Sequence, residues 1–141
     1  MHILLVPVDG STHSRNALKY AISIAKEHRD TEINIINVQP VLLPLGALPL
    51  PDTEAIEKSQ FEQAKKVIRS ACYLLDKADI KYTKHIAIGL TSTTIVNYAK
   101  DHGCDSIVMG TRGMGAFGNW VLGSTANQVV HLADMPVTLV K

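Results

Sequence analysis

Short apolar runs alternating with stretches of helical periodicity predict a doubly wound α/β domain built on a parallel sheet. Three observations carry this. Residues 2–8, 32–38, 80–88, 106–109 and 136–140 read as strands, the first of them continuously apolar. The segments at 11–25, 52–78, 91–102 and 126–133 keep apolar residues at helical spacing. Each connection is long enough for the crossover that parallel neighbours require. With 141 residues, the chain fits one domain, spanning 1–141, with its own core.

Taken in order, the first run (HILLVPV) is apolar throughout, as a strand covered on both faces is, and it ends in the turn Pro7-Val8-Asp9-Gly10. Ser11 or Ser14 can cap the helix carrying Ala17, Leu18, Ala21, Ile24 and Ala25. EINIINV forms the second strand. Residues 39–51 are a loop of unusual character, with four of the six prolines and six large aliphatic residues. That composition fits a lid, a partner contact or simple packing on its own helices. Asp52 or Thr53 opens a long helix striped by Ala64, Val67, Ile68, Ala71, Leu74, Leu75 and Ala78. The third strand covers 80–88 and Gly89 ends it. A helix over 91–102 turns Ile95, Val96 and Ala99 inward, and a fourth strand covers 106–109. A glycine-rich stretch, a helix over 126–133 and a strand over 136–140 complete the chain.

Composition excludes several function classes. The formal net charge of +1 gives no field for gripping a polyanion, so a nucleic-acid role is not expected. Lys58, Lys65 and Lys66 alternate with Glu57, Glu62 and Asp76, as on a solvated helix face. Cys72 and Cys104 are too few for a disulfide framework and lack CxxC spacing. No apolar run approaches 18 residues and no leader pattern precedes the first strand, so a cytoplasmic protein without a membrane role is expected. The six histidines show no HxxxH or HExxH spacing, which argues against zinc.

The chemistry concentrates in GTRGMGAFGNWVLGST, from Gly110 to Thr125, which holds five of the nine glycines. Backbone N–H groups in such a loop, followed by a helix N-terminus and two hydroxyls, suit a phosphate. The stretch is not a Walker loop, because no lysine follows Gly115 or Gly118. Gly113, Gly115 and Gly118 do spell GxGxxG. A dinucleotide fold, however, places that fingerprint after its first strand and an acid on the next one; here only PVTLV remains.

Gly110-x-x-Gly113, nine residues, then Gly123-Ser124 is a different pattern, and it resembles the G-2x-G-9x-G-[S/T] motif of the ATP-binding branch of the universal stress protein family. Pro7-Val8-Asp9-Gly10-Ser11, Asn37-Val38-Gln39-Pro40, Asp105 to Gly110 and Pro136 to Val140 resemble that family's strand ends, so the likeness covers essentially the whole chain. It implies a Rossmann-like sheet of the adenine nucleotide α-hydrolase type, five parallel strands in the order 3-2-1-4-5 flanked by four helices. By the same resemblance, Gly110, Arg112, Gly113 and Gly115 wrap ribose and phosphates, and Gly123, Ser124 and Thr125 hold the outer phosphates. Val38 recognises adenine through its backbone, while Pro7 and Met109 wall the base. Asp9 lies by the ribose and near a phosphate-bound Mg²⁺. ATP is the implied ligand, with AMP or ADP as alternatives. A homodimer formed through the closing strand, Pro136 to Lys141, is also implied, and it would cover an edge that is hazardous if left open.

The residues leave other readings beside these. Asp9 in an Asp-Gly pair also suits a turn or a helix cap. Ser124 could simply cap the last helix, Pro7 and Met109 could be core, and Arg112 and His13 could be ordinary surface residues. Functionally, nucleotide-dependent stress signalling stands first. The alternatives are a weak ATPase or an enzyme autophosphorylated at Ser124 or Thr125, and a dimeric interaction module without nucleotide. No evident base for turnover stands in the motif.

Overall fold

A computed structural model describes residues 1–41, 53–112 and 122–141. Its elements are β1 (His2–Pro7), α1 (Thr12–Glu27), β2 (Thr31–Gln39), α2 (Thr53–Lys77), β3 (Tyr82–Ile88), α3 (Thr91–Asp101), β4 (Ser106–Gly110), α4 (Ser124–Leu132) and β5 (Val137–Val140). The five strands form one parallel sheet in the order β3-β2-β1-β4-β5, as expected.

The central strands are apolar because both their faces are covered. Leu4 and Val6 join a core under α1 and α2, together with Ile33, Ile35, Leu18, Ile68 and Leu75. Leu5 and Ile36 face the other way, into a core with Ile95, Val96, Ile107 and Val129 from the α3 and α4 side. Alternation along β1 thus feeds two cores from one strand. Asn34 is one of the polar residues buried on β2. Its Nδ2 donates to Cys104 Sγ at 3.9 Å, and its Oδ1 accepts from Thr83 Oγ1 at 2.6 Å. Burial pushes the Cys104 thiol up from its ordinary value, so it stays protonated and inert.

Two element starts differ by two residues from the sequence reading, the other starts by less. The third strand begins at Tyr82 rather than at residue 80, because Asp79 takes a left-handed φ of 57° and the Ile80 N–H donates to Leu75 C=O, which ends α2. Ile80 is apolar as the periodicity required, but it packs as part of a helix exit. The last helix begins at Ser124 rather than at residue 126, with Gly123 as its N-cap. Between the two serines offered for α1, Ser11 is the N-cap, its Oγ accepting the Ser14 N–H at 3.2 Å.

The strand order reverses at β1: β2 lies on one side and β4 on the other. Crevices form at such switch points, beyond the carboxyl ends of the strands.

Candidate functional site

A cleft of about 510 Å³ opens at that switch point. Pro7, Val8 and Asp9 line it from the end of β1, Val38 and Pro40 from the end of β2 and just beyond, and Met109, Gly110 and Arg112 from the end of β4 and just beyond. Gly123, Ser124 and Thr125 close it from the start of α4. The structure therefore brings together nine of the eleven residues singled out in the sequence. The other two, Gly113 and Gly115, lie outside the described residues.

At the end of β1 the chain turns on side-chain hydrogen bonds. Asp9 Oδ1 accepts the Ser11 N–H at 2.9 Å, and the Asp9 N–H donates to Ser14 Oγ at 3.1 Å. Asp9 is thus an Asx-turn residue ahead of the helix, not its cap. Its carboxylate is held exposed at the lip of the cleft.

Val38 offers its backbone. The parallel ladder hands alternate β2 residues to opposite neighbours: Gln39 C=O accepts from Gly89 beyond β3, whereas Ile36 C=O accepts from Val8. The N–H and C=O of Val38 therefore point to the β1 side, where β1 has already ended. The Val8 carbonyl, the natural acceptor for the Val38 N–H, is taken by Asn37 Nδ2 at 2.7 Å. Asn37, 3% exposed, thereby leaves the Val38 N–H to the cleft, and the end of β1 leaves the Val38 C=O there beside it. Its Oδ1 in turn accepts from Gln39 Nε2 at 2.8 Å. Replacing this donor with an isosteric acceptor, Asn37→Asp, would set a carboxylate against the Val8 carbonyl. The expected cost is about 2 kcal/mol in urea denaturation, and an unchanged midpoint would show that Asn37 does not hold this turn.

The glycine stretch begins with a packing requirement. A Cβ on Gly110 would lie 2.8 Å from both the carbonyl carbon and the Cβ of His13 on α1, so β4 can approach α1 only without a side chain there. His13 is half-buried in that contact, and its Nδ1 is buried with no hydrogen-bond partner among the described residues. It belongs to the α1–β4 joint and not to the cleft lining. Further on, the Gly123 N–H donates to Thr111 C=O at 2.7 Å and ties the residue after β4 to the start of α4. That N–H is spent on the protein. The free donors at this end are the first N–H groups of α4, beside the Ser124 and Thr125 hydroxyls, where the helix dipole favours an anion. Gly123 caps α4 without a side-chain bond, so Ser124 faces the cleft as the first helical residue instead of capping the helix.

The apolar wall has members that the sequence reading missed. Ile36 and Ile95 are buried behind the cleft, and Thr91 stands on its rim at the start of α3. Helical spacing had placed Ile95 inward, but nothing local to α3 says that this helix packs against β2 and α4. Ser92 Oγ donates to Gln128 Oε1 at 2.6 Å and joins α3 to α4. Among the described residues, no group of three or more His, Cys, Asp or Glu could hold a metal.

This arrangement can be compared with known proteins. The chain matches the description of the universal stress protein family over residues 1–141. The chain belongs to that family. Universal stress protein MJ0531 of Methanocaldococcus jannaschii is 33% identical over 139 residues, covering 98% of this chain and 81% of the relative. The solved structure of MJ0577 superimposes with a TM-score of 0.79 at 25% identity, covering 99% of this chain and 95% of that one. More distant structures share the fold while holding ligands: a universal stress protein in complex with cAMP (TM-score 0.73, 19% identity, 99% of this chain and 97% of that one) and an Arabidopsis thaliana family member with AMP bound (TM-score 0.74, 18% identity, 100% and 92%).

Proposed function

We propose that this universal stress protein binds an adenine nucleotide at the β1–β4 switch point and acts in nucleotide-dependent stress signalling in the cytoplasm. ATP with Mg²⁺ is the preferred ligand, and AMP or ADP would occupy the same place. One observation carries the reading: the free backbone pair of Val38 stands in the same cleft as the N-terminus of α4. A donor beside an acceptor matches N1 and N6 of adenine, and a helix start with two hydroxyls matches a phosphate chain. Pro7, Met109 and Ile95 give the base an apolar slot. The AMP- and cAMP-bound relatives, which share the fold, support the choice of ligand class.

Asp9 is the one carboxylate among the described lining residues, and Arg112 the one cation. With Oδ1 held by the Ser11 N–H, Asp9 suits a Mg²⁺ that keeps its waters and takes most of its charge from the phosphates. Such an ion would neutralise a triphosphate. Gly113 and Gly115 complete the phosphate loop in this proposal, with Gly110 and Arg112 at its start. The homodimer is placed on the closing strand, from Pro136 to Lys141. The supporting feature is that β5 pairs with β4 alone and leaves an outer edge with Leu139 37% exposed.

Calorimetry of the purified protein with ATP and MgCl₂ tests the reading. Saturable binding in the micromolar range is expected, with GTP at least about tenfold weaker because guanine reverses the donor and acceptor presented to Val38. Absence of ATP binding at millimolar concentration, or equal binding of GTP, would overturn it.

A further inference from the structure

A second cleft, of about 460 Å³, lies at the opposite end of the sheet order, between α2 and the outer strand β3. Three consecutive strand residues, Lys84, His85 and Ile86, line it. Side chains alternate between faces along a strand, so a cleft that touches three in a row must run along the strand's edge. The ladder leaves that edge open. Lys81 C=O accepts from Ile33 and the Gly89 N–H donates to Gln39, so odd-numbered residues bond to β2. Lys84 and Ile86, being even, direct N–H and C=O outward.

The facing wall comes from Phe61, Lys65 and Arg69, at four-residue spacing along one stripe of α2. Phe61 is 49% exposed, and Lys65 Nζ stands 4.7 Å from its ring centroid. Among the described residues, no carboxylate lines the cleft. The neighbouring Glu62 is paired with Lys65 at 3.3 Å, while Arg69 and Lys84 have no ion-pair partner among the described residues. A lone edge lysine would serve to keep strands of other molecules away. Here lysine, arginine and a second lysine converge on an open edge beside an exposed aromatic ring.

We propose that the outer edge of β3 takes an acidic, extended peptide segment of a partner protein as an added strand. Its backbone pairs with the N–H and C=O groups of Lys84 and Ile86. Its carboxylates meet Arg69, Lys84 and Lys65, and an apolar side chain rests on Phe61 and Ile68. The wall from Phe61 to Arg69 is about 12 Å long, which about four extended residues span. A second copy of this chain is the wrong occupant, because edge-to-edge pairing would bring the same cations together.

The test uses fluorescein-labelled Glu-Val-Glu-Val-Glu-Val in fluorescence anisotropy, against a proline-centred version and Lys-Val-Lys-Val-Lys-Val. The acidic peptide is expected to bind saturably and to slow hydrogen exchange at the Lys84 and Ile86 amides. Both control peptides are expected to bind at least tenfold more weakly. Arg69→Glu with Lys84→Glu should weaken the acidic peptide at least tenfold; both sites are exposed, so the circular dichroism spectrum and melting temperature should hold. No saturable binding at millimolar peptide overturns the proposal. So does equal binding of the proline peptide, which would mark anion binding without strand addition. Equal binding of the lysine peptide, indifference to the double substitution, or self-association through β3 would also overturn it.

Discussion

Gly110→Val is expected to lower stability by about 3 kcal/mol and the melting temperature by roughly 10 °C, whether or not nucleotide is present. The cause is steric and lies outside the cleft. The first atom of any side chain at Gly110 falls 2.8 Å from the backbone of His13, so α1 must move off β4. Backbone cannot swing aside as a lysine tip would. Gly103 provides the contrast. There a Cβ meets nothing within 4 Å but the residue holds φ at +61°, so Gly103→Ala is expected to cost only about 1 kcal/mol through backbone strain. Paired thermal melts of the two variants check this. If Gly110→Val melts with the wild type and merely loses ligand, the first glycine of the motif serves nucleotide alone and the packing account is wrong.

That glycine shows how far the sequence could be read. The spacing from Gly110 to Ser124 pointed to a phosphate loop, and the structure does set both ends of it in one cleft. Spacing could not show that Gly110 is also the contact between β4 and α1, since that depends on a helix about a hundred residues earlier. The sheet was legible because β1 and β4 are covered on both faces and so read as apolar runs, while β2 keeps Ile33, Ile35, Ile36 and Val38 among its polar residues. The start of β3 was misread because Ile80 is apolar for a different reason, packing at the exit of α2. Asp9, Val38 and Met109 were legible as strand ends. What makes Val38 available was not, because it rests on Asn37 taking the Val8 carbonyl from across the turn. Thr91 and Ile95 join the cleft only through the packing of α3.

Ser124→Asp is expected to move stability and binding in opposite directions. Ser124 is the first residue of α4 and exposed, in a helix with no acidic residue in its first turn. A carboxylate there complements the dipole and should stabilise the protein by about 0.3–1 kcal/mol at low salt. The same charge would sit where the proposed phosphates bind. Two like charges about 5 Å apart at an effective dielectric of about 20 repel by roughly 3 kcal/mol. That corresponds to a loss of about 100-fold in ATP affinity, with adenosine affected much less. Calorimetry with ATP and with adenosine, beside urea denaturation of the free protein, separates the two effects. A variant that is more stable, retains adenosine and has lost ATP puts the phosphates at the start of α4. Unchanged ATP affinity would remove them from it, leaving the adenine slot at Val38 without its phosphate end. Falling stability would show that Ser124 carries a structural role which its exposure conceals.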